Sequence, residues 1–155
     1  METRNLHLKA LAAAAVLVLG AVVVSPAAAA PPISVSPFSK LALEGYDPVA
    51  YFTEGAPRKG DPKLSATYKG AEFRFASAAS RARFKANPEA YLPQYGGYCA
   101  WAVAHGYTAK GDPNAWKLVG GKLYLNYDLS IQKRWASDIP GNIAKGDQNW
   151  PQVLK

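Results

Sequence analysis

Residues 59–62 read Lys-Gly-Asp-Pro, and the same four residues recur at 110–113, which is 51 positions later. After each copy, two short runs of strand-forming residues flank a turn, and a polar residue then precedes an apolar-periodic segment. A repeat with a fixed offset predicts a structural unit that is built twice. The sequence therefore predicts two similar β-hairpin-plus-short-helix units related by internal duplication with an offset of 51. Two similar units that arose separately are the alternative.

In the first unit, residues 64–68 and 72–76 are predicted to form a β-hairpin around a turn at Lys69-Gly70. Ser77 is a good N-cap for the helix that follows. That helix must end before Pro88, because the residue that precedes a proline avoids the helical conformation. Pro88 itself then begins a short second helix.

In the second unit, residues 115–126 are predicted to form the matching hairpin, and Asp128 to cap a helix that reaches Trp135. Pro140-Gly141 is predicted to end this region, and residues 149–151 to pack the tail back on the domain. The predicted fold class is α+β, a small single domain in which short helices cover short antiparallel strands.

Residues 1–30 have the pattern of a secretory signal peptide, with a basic start, an apolar run at 10–24 and small residues at 27–30. The run is shorter than the roughly 20 residues needed to span a bilayer. We therefore expect a periplasmic or secreted protein with no stable membrane anchor after cleavage. Residues 31–44 then form an N-terminal extension, and residues 45–155 form the domain.

The chain has 18 basic and 11 acidic residues and a net charge of +7. The basic residues are scattered along the chain, which is typical of a solvated surface, and nucleic acid is not an expected partner. The sequence has no phosphate-cradling glycine loop, no paired cysteines with zinc spacing and no motif of a Ser-His-Asp hydrolase. A binding function is therefore expected in preference to catalysis.

Cys99 is the single cysteine of the chain, and His105 is the single histidine outside the predicted leader. A small-residue helix is predicted over 98–104, with Cys99 in its first turn and Gly106 just past its end. Three roles for Cys99 remain open, namely an inert core thiol, a metal ligand, and a redox-active or chain-linking thiol. His105 is either an exposed residue at the helix end or a ligand, and positions six apart on a regular helix do not share a face.

Three stretches resemble the YHS-domain family, in particular its secreted bacterial members, and together they extend over essentially the whole mature chain. The stretches are Gly45-Tyr-Asp-Pro-Val-Ala-Tyr-Phe52, then Phe73-Arg-Phe-Ala-Ser77 with Phe84-Lys-Ala-Asn-Pro-Glu-Ala-Tyr91, and Tyr95-Gly-Gly-Tyr-Cys-Ala100 with Gly121-Lys-Leu-Tyr-Leu-Asn-Tyr127. The resemblance implies an association with copper or heavy-metal handling. Metal-associated members carry cysteines at positions that resemble Ala50, Ala76 and Ser80, so their thiolate ligands are missing here.

Asp47 lies in the Asp-Pro-Val motif beside Tyr46 and Tyr51. An Asp that precedes a proline usually caps backbone amides, but Asp47 among aromatic side chains is also a candidate ligand anchor. Tyr98 and Trp101 flank Cys99 and are candidate walls of a small pocket. The predicted ligand-binding set is therefore Asp47, Tyr46, Tyr51, Tyr98 and Trp101.

The first functional hypothesis is a non-catalytic binding module for copper, another soft metal or a small ligand near Cys99, with His105 as the second metal ligand. A thiolate selects Cu(I), but the mature chain has no methionine ligand. Tight copper binding would therefore depend on a homodimer. The alternatives are a thiol-based redox protein or enzyme that uses Cys99, and a structural or partner-binding domain with a buried, inert Cys99.

Overall fold

A computed structural model describes residues 28–155. Most of the predicted signal peptide, residues 1–27, lies outside this part of the chain. Within residues 28–155, no helix is both long enough and apolar enough to cross a membrane.

Unit 1, residues 43–91, consists of one β-hairpin with short helices on either side. Its elements are a 3₁₀ turn at Leu43–Gly45, α1 (Ala50–Thr53), β1 (Asp61–Tyr68), β2 (Ala71–Phe75), α2 (Ala78–Ala86) and a 3₁₀ turn at Pro88–Ala90. Unit 2, residues 94–135, follows the same order. Its elements are a 3₁₀ turn at Gln94–Gly97, α3 (Ala100–Ala104), β3 (Asp112–Val119), β4 (Lys122–Asn126) and α4 (Leu129–Trp135). The chain then continues through a 3₁₀ turn at Ala136–Asp138, α5 (Ile139–Asn149) and a 3₁₀ turn at Gln152–Leu154.

The two hairpins share one strand register, including an irregularity at the same place. In unit 1, Asp61 pairs with Phe75, and the register shifts before Ser65 pairs with Arg74. In unit 2 the corresponding pairs are Asp112 with Asn126 and Trp116 with Leu125. The α+β fold with two small antiparallel hairpins is confirmed, and each first strand begins three residues earlier than predicted because the chain pairs again beyond the bulge. Internal duplication as the origin of this likeness stays a prediction.

The turn residues and the N-cap residues form the local structures predicted from the sequence. Both residues of each hairpin turn have positive φ, +47° and +77° at Lys69 and Gly70 and +57° and +73° at Gly120 and Gly121. That conformation matches the twist of a two-residue hairpin. The N-caps also correspond, because the Ser77 hydroxyl accepts the Ser80 N–H at 3.0 Å and an Asp128 carboxylate oxygen accepts the Ile131 N–H at 2.8 Å.

The prediction that Pro140-Gly141 ends the helical region of unit 2 is wrong, because these residues lie in the first turn of α5. Proline is tolerated there, since the first N–H groups of a helix have no intrahelical partner. Asp138 caps the helix by accepting the Gly141 N–H at 3.0 Å. At the other end, the Asn149 side chain donates to the carbonyl of Val103 at 2.8 Å, which fixes α5 against α3.

Two apolar clusters stabilise the domain. The first joins the units, because Phe73 and Phe75 of unit 1 pack with Leu123 and Leu125 of unit 2. The N-terminal extension adds Ile33 to this cluster. The second cluster lies between unit 2 and α5, with the buried residues Tyr95, Tyr98, Ala100, Val103, Tyr124 and Trp135. Trp150 packs on it, as the sequence predicted for the tail.

Candidate functional site

Asp47 is a fully buried carboxylate that holds two parts of unit 1 together. One oxygen accepts the N–H of Val49 at 2.8 Å, and the other accepts the N–H of Ala76, the first residue after β2, at 2.9 Å. An ionised carboxylate satisfies both donors, because its oxygens only accept hydrogen bonds. This geometry supports the structural alternative, in which Asp47 caps backbone amides.

Cys99 occupies the corresponding place in unit 2. The Asp47 N–H donates to the Arg58 carbonyl at 2.8 Å, and the Cys99 N–H donates to the Ala109 carbonyl at the same distance. The carbonyl residues are 51 apart while Asp47 and Cys99 are 52 apart, so the loop in unit 2 is one residue shorter. Alignment at a constant offset of 51 therefore places Tyr98 opposite Asp47, whereas the backbone places Cys99 there.

The Cys99 side chain is buried, with 1% of its surface exposed. Burial raises the pKa of the thiol, whereas the nearby backbone N–H groups of Ala102, Tyr127 and Trp101 lower the pKa by a smaller amount. Cys99 is the N-cap residue of α3 and does not lie within its first turn, because the five-residue helix begins at Ala100.

Asn126, the last residue of β4, contacts the Cys99 thiol. Its Oδ1 lies 3.9 Å from the Cys99 sulfur and accepts the Trp101 N–H at 3.3 Å. The side chain is fully buried, and its Nδ2 has no hydrogen-bond partner. The matching residue in unit 1 is the apolar Phe75. Sequence reasoning missed Asn126, although a polar residue at the offset position of Phe75 was a usable signal.

His105 lies at the far end of α3 and is exposed, so the predicted Cys99–His105 pair is divided between the two ends of the helix. The His105 ring stacks on Trp101 with 4.1 Å between the ring centroids, and Nδ1 lies 2.7 Å from the Trp101 carbonyl. Among residues 28–155, no group of three or more His, Cys, Asp or Glu side chains is arranged to hold a metal ion. Metal binding by Cys99 and His105 stays a prediction.

The predicted tyrosines have structural contacts. The Tyr51 ring is fully buried, its hydroxyl donates to the Pro113 carbonyl of unit 2 at 2.8 Å, and burial raises its pKa far above the usual value. The Tyr98 hydroxyl donates to the Pro31 carbonyl at 2.9 Å. Tyr46 lies beneath the Lys59 ammonium group, 4.2 Å from the ring centroid. The Tyr51 contact joins the two units and the Tyr98 contact joins unit 2 to the N-terminal extension, whereas the Tyr46 contact lies within unit 1.

A cavity of about 280 Å³ lies where the two units meet the N-terminal extension, and we call it the interunit cleft. Its lining is mainly apolar and includes Val35, Leu43, Phe73 and Leu125. Glu44 and Lys110 also line the cleft, with Lys110 Nζ 3.7 Å from a Glu44 carboxylate oxygen. Leu125 also forms an isolated parallel β-bridge with Cys99.

None of the five predicted ligand-binding residues is among the described residues that line the interunit cleft. Sequence reasoning missed the cleft because its lining comes from segments distant in sequence, including the N-terminal extension, which was placed outside the domain. The extension is instead docked closely, and the Ser34 N–H donates to the Gly96 carbonyl at 2.9 Å. Gly96 is required there, because a Cβ atom at this position would meet the Pro32 carbonyl.

Comparisons with models of known protein families, with curated proteins and with solved structures find no match for this chain. Membership of the YHS-domain family therefore stays a prediction from the three sequence stretches.

Proposed function

We propose that this protein is an exported, non-catalytic binding module of the YHS-domain type. Its ligand is a small, mainly apolar molecule with one anionic end, bound in the interunit cleft. The observation that carries the proposal is the cleft itself, in which apolar side chains from both units and the N-terminal extension surround a space beside a single lysine.

The size and lining of the cleft fit this class of ligand. Ligand pockets typically have volumes of about 300–1,000 Å³, an apolar lining and a few polar groups that orient the ligand, so a volume near the lower limit favours a small molecule. The Lys110 ammonium group can bind an anionic end, because its contact with Glu44 is an exposed ion pair that contributes little stability. The net charge of +7 adds a general attraction for anions.

The environment of Cys99 favours a binding function over catalysis by the thiol. A thiol nucleophile needs an accessible sulfur and a lowered pKa. The Cys99 sulfur is buried, and desolvation raises its pKa. A redox enzyme that uses Cys99 is therefore the less favoured alternative.

The alternative ligand in the binding hypothesis, a soft metal ion, needs further metal ligands near Cys99. Beside the Cys99 sulfur lies one carboxamide, which is a poor Cu(I) ligand. A copper site would therefore require donors from a second copy of the chain. Titration with Cu(I) against a competing chelator, on the original protein and on Cys99→Ala, tests whether the protein has such a copper site. Binding that depends on Cys99 and produces a dimer would establish the site.

The ligand proposal is tested with 2-naphthoate, which has an apolar ring system and one carboxylate. Val35 lines the cleft, and we expect Val35→Trp to fill the space and weaken 2-naphthoate binding at least about tenfold. Ser39→Trp is the matched control, because Ser39 is an exposed residue of the same segment outside the cleft lining. Isothermal titration calorimetry gives the dissociation constants, and for a probe of this size we expect about 1 mM or tighter.

The same titration on Lys110→Ala tests the anionic end. We expect weaker binding of 2-naphthoate and little change for neutral naphthalene, because the lysine acts on the carboxylate alone. Absence of binding to the original protein, or equal binding by the Val35→Trp and Ser39→Trp variants, would show that the cleft is not the binding site.

A further inference from the structure

The two units place different chemical groups in the same backbone environment. In unit 1, the N–H of Val49, two residues after Asp47, and the N–H of Ala76, directly after β2, donate to the Asp47 carboxylate. In unit 2, the corresponding N–H groups belong to Trp101, two residues after Cys99, and to Tyr127, directly after β4. In unit 1, two backbone N–H groups at these positions therefore bind the two oxygens of one buried, charged side chain.

Unit 2 contains one further buried donor, on the side chain that contacts the sulfur. The Asn126 carboxamide contacts Cys99 through Oδ1, and its buried Nδ2 has no partner. A buried polar group without a partner is costly, so its presence in a native protein calls for an explanation. The matching Phe75 of unit 1 is larger and has no polar atom on its side chain. The Cys99 environment therefore has more donors and a smaller neighbour than its counterpart at Asp47.

We propose that Cys99 is a modification site, at which peroxide oxidises the thiol to a sulfinate whose two oxygens take the places of the Asp47 carboxylate oxygens. A sulfinate and a carboxylate both carry two acceptor oxygens and one negative charge. The Trp101 and Tyr127 N–H groups then donate to these oxygens, and Asn126 Nδ2 gains an acceptor. This inference is independent of ligand binding in the interunit cleft.

The oxidation proceeds in two balanced steps with hydrogen peroxide as the oxidant. The Cys99 thiolate attacks a peroxide oxygen, so that an S–O bond forms, the O–O bond breaks and the leaving hydroxide takes up a proton to become water. Sulfur loses two electrons, and the product is a sulfenic acid. A second peroxide repeats the reaction, so that one thiol and two peroxides give one sulfinate, one proton and two waters. Burial raises the pKa of the Cys99 thiol and so lowers the fraction of reactive thiolate, and we therefore expect the conversion to take hours in excess peroxide.

The folded protein is treated with hydrogen peroxide, digested with trypsin and analysed by fragmentation mass spectrometry. We expect a gain of about 32 Da, two oxygens, localised to Cys99 and absent in Cys99→Ser. Localisation by fragments is necessary because the neighbouring Trp101 can also take up oxygen. We expect the oxidised protein to melt about 3 °C above the reduced protein, since the sulfinate supplies acceptors to buried donors.

One pair of variants at Cys99 and one single variant at Asn126 separate this role from simple tolerance of oxidation. Cys99→Asp imitates the sulfinate and should melt above Cys99→Asn, which has nearly the same size but no charge. Asn126→Leu removes the unpartnered donor, so this variant should lose most of the gain on oxidation. The proposal is overturned if Cys99 stays unmodified in the folded protein, if oxidation lowers the melting temperature, or if Cys99→Asp melts below Cys99→Asn.

Discussion

The Asp47 region of unit 1 and the Cys99 region of unit 2 share a backbone but differ in chemistry. In unit 1 a carboxylate joins the start of α1 to the end of β2 through two short hydrogen bonds. In unit 2 a thiol stands in its place, and the carboxamide of Asn126 takes over one of the backbone donors. The comparison teaches that unit 1 uses this position for stability, whereas unit 2 retains buried polar groups that are not fully satisfied.

The largest expected effect on the free energy of unfolding comes from truncating the Asp47 and Cys99 side chains, one at a time. Asp47→Ala leaves two buried N–H groups without an acceptor, and we expect the free energy of unfolding to fall by about 4 kcal/mol. Cys99→Ala removes one sulfur from a site whose donors are only weakly engaged, and we expect a loss of about 1 kcal/mol. Urea unfolding followed by circular dichroism measures both values. Equal losses would contradict the contrast between the units.

The second effect concerns pH. Because the pKa of the Cys99 thiol is raised in the folded protein, the folded protein keeps its proton at a pH at which the unfolded chain has lost it. The thiol therefore contributes its full stability below the unfolded pKa of about 8.5 and loses it as the pH rises above that value, by up to about 1.4 kcal/mol per pH unit.

Unfolding of the original protein and of Cys99→Ala at several values between pH 7 and pH 10 measures this contribution. The tyrosines with raised pKa values are present in both proteins, so their effect cancels in the difference. A constant difference across this range would mean that the thiol ionises as easily in the folded protein as in the unfolded chain.

A smaller effect is expected from Trp135→Phe, which gives unit 2 the aromatic residue that unit 1 has at Phe84. Trp135 is fully buried, and its Nε1 has no partner. The lost packing costs about 1–2 kcal/mol, and removal of the unpartnered N–H offsets about 1 kcal/mol of this. We expect a net loss below about 1 kcal/mol in urea unfolding. A loss above about 3 kcal/mol would indicate that Nε1 is satisfied in solution.

The smallest effect concerns the residues that follow α1 and α3. Unit 1 has Glu54 there, paired with Arg58 at 2.6 Å, and unit 2 has His105. Both side chains of the ion pair are largely exposed, so we expect Glu54→Gln to change the free energy of unfolding by no more than about 0.5 kcal/mol. A melting curve displaced by many degrees would show that the pair stabilises the α1 region.

The hairpins, their turns and the helix caps were predictable because local chemistry determines them. Ser77 and Asp128 stabilise the helix starts through N–H groups three residues away, and Gly70 and Gly121 allow turn conformations that the chain adopts without distant contacts. The helix at Ile139–Asn149 was missed because its stability depends on packing. Gly146 lies against the Tyr95 ring, and Asn149 reaches the end of α3.

The candidate site was predictable in part. Sequence analysis identified Asp47 and Cys99 as candidate site residues but predicted unrelated roles for them. Alignment at a constant offset of 51 does not allow for the shorter loop of unit 2, so the equivalence of the two positions was missed. Asn126 and the cleft residues Glu44 and Lys110 were not predicted, since nothing in their local sequence indicates which distant side chains they contact.

The sequence by itself determined the two hairpin-plus-helix units and the single thiol, because turn chemistry, capping and residue identity act over a few positions. The tertiary structure alone decided that Cys99 is buried, that it corresponds to Asp47, and that the units and the N-terminal extension enclose a cleft. The physical reason is that burial and hydrogen-bond partnership depend on segments brought together from tens of residues apart. A short stretch of sequence contains no information about the donors that will face a given side chain.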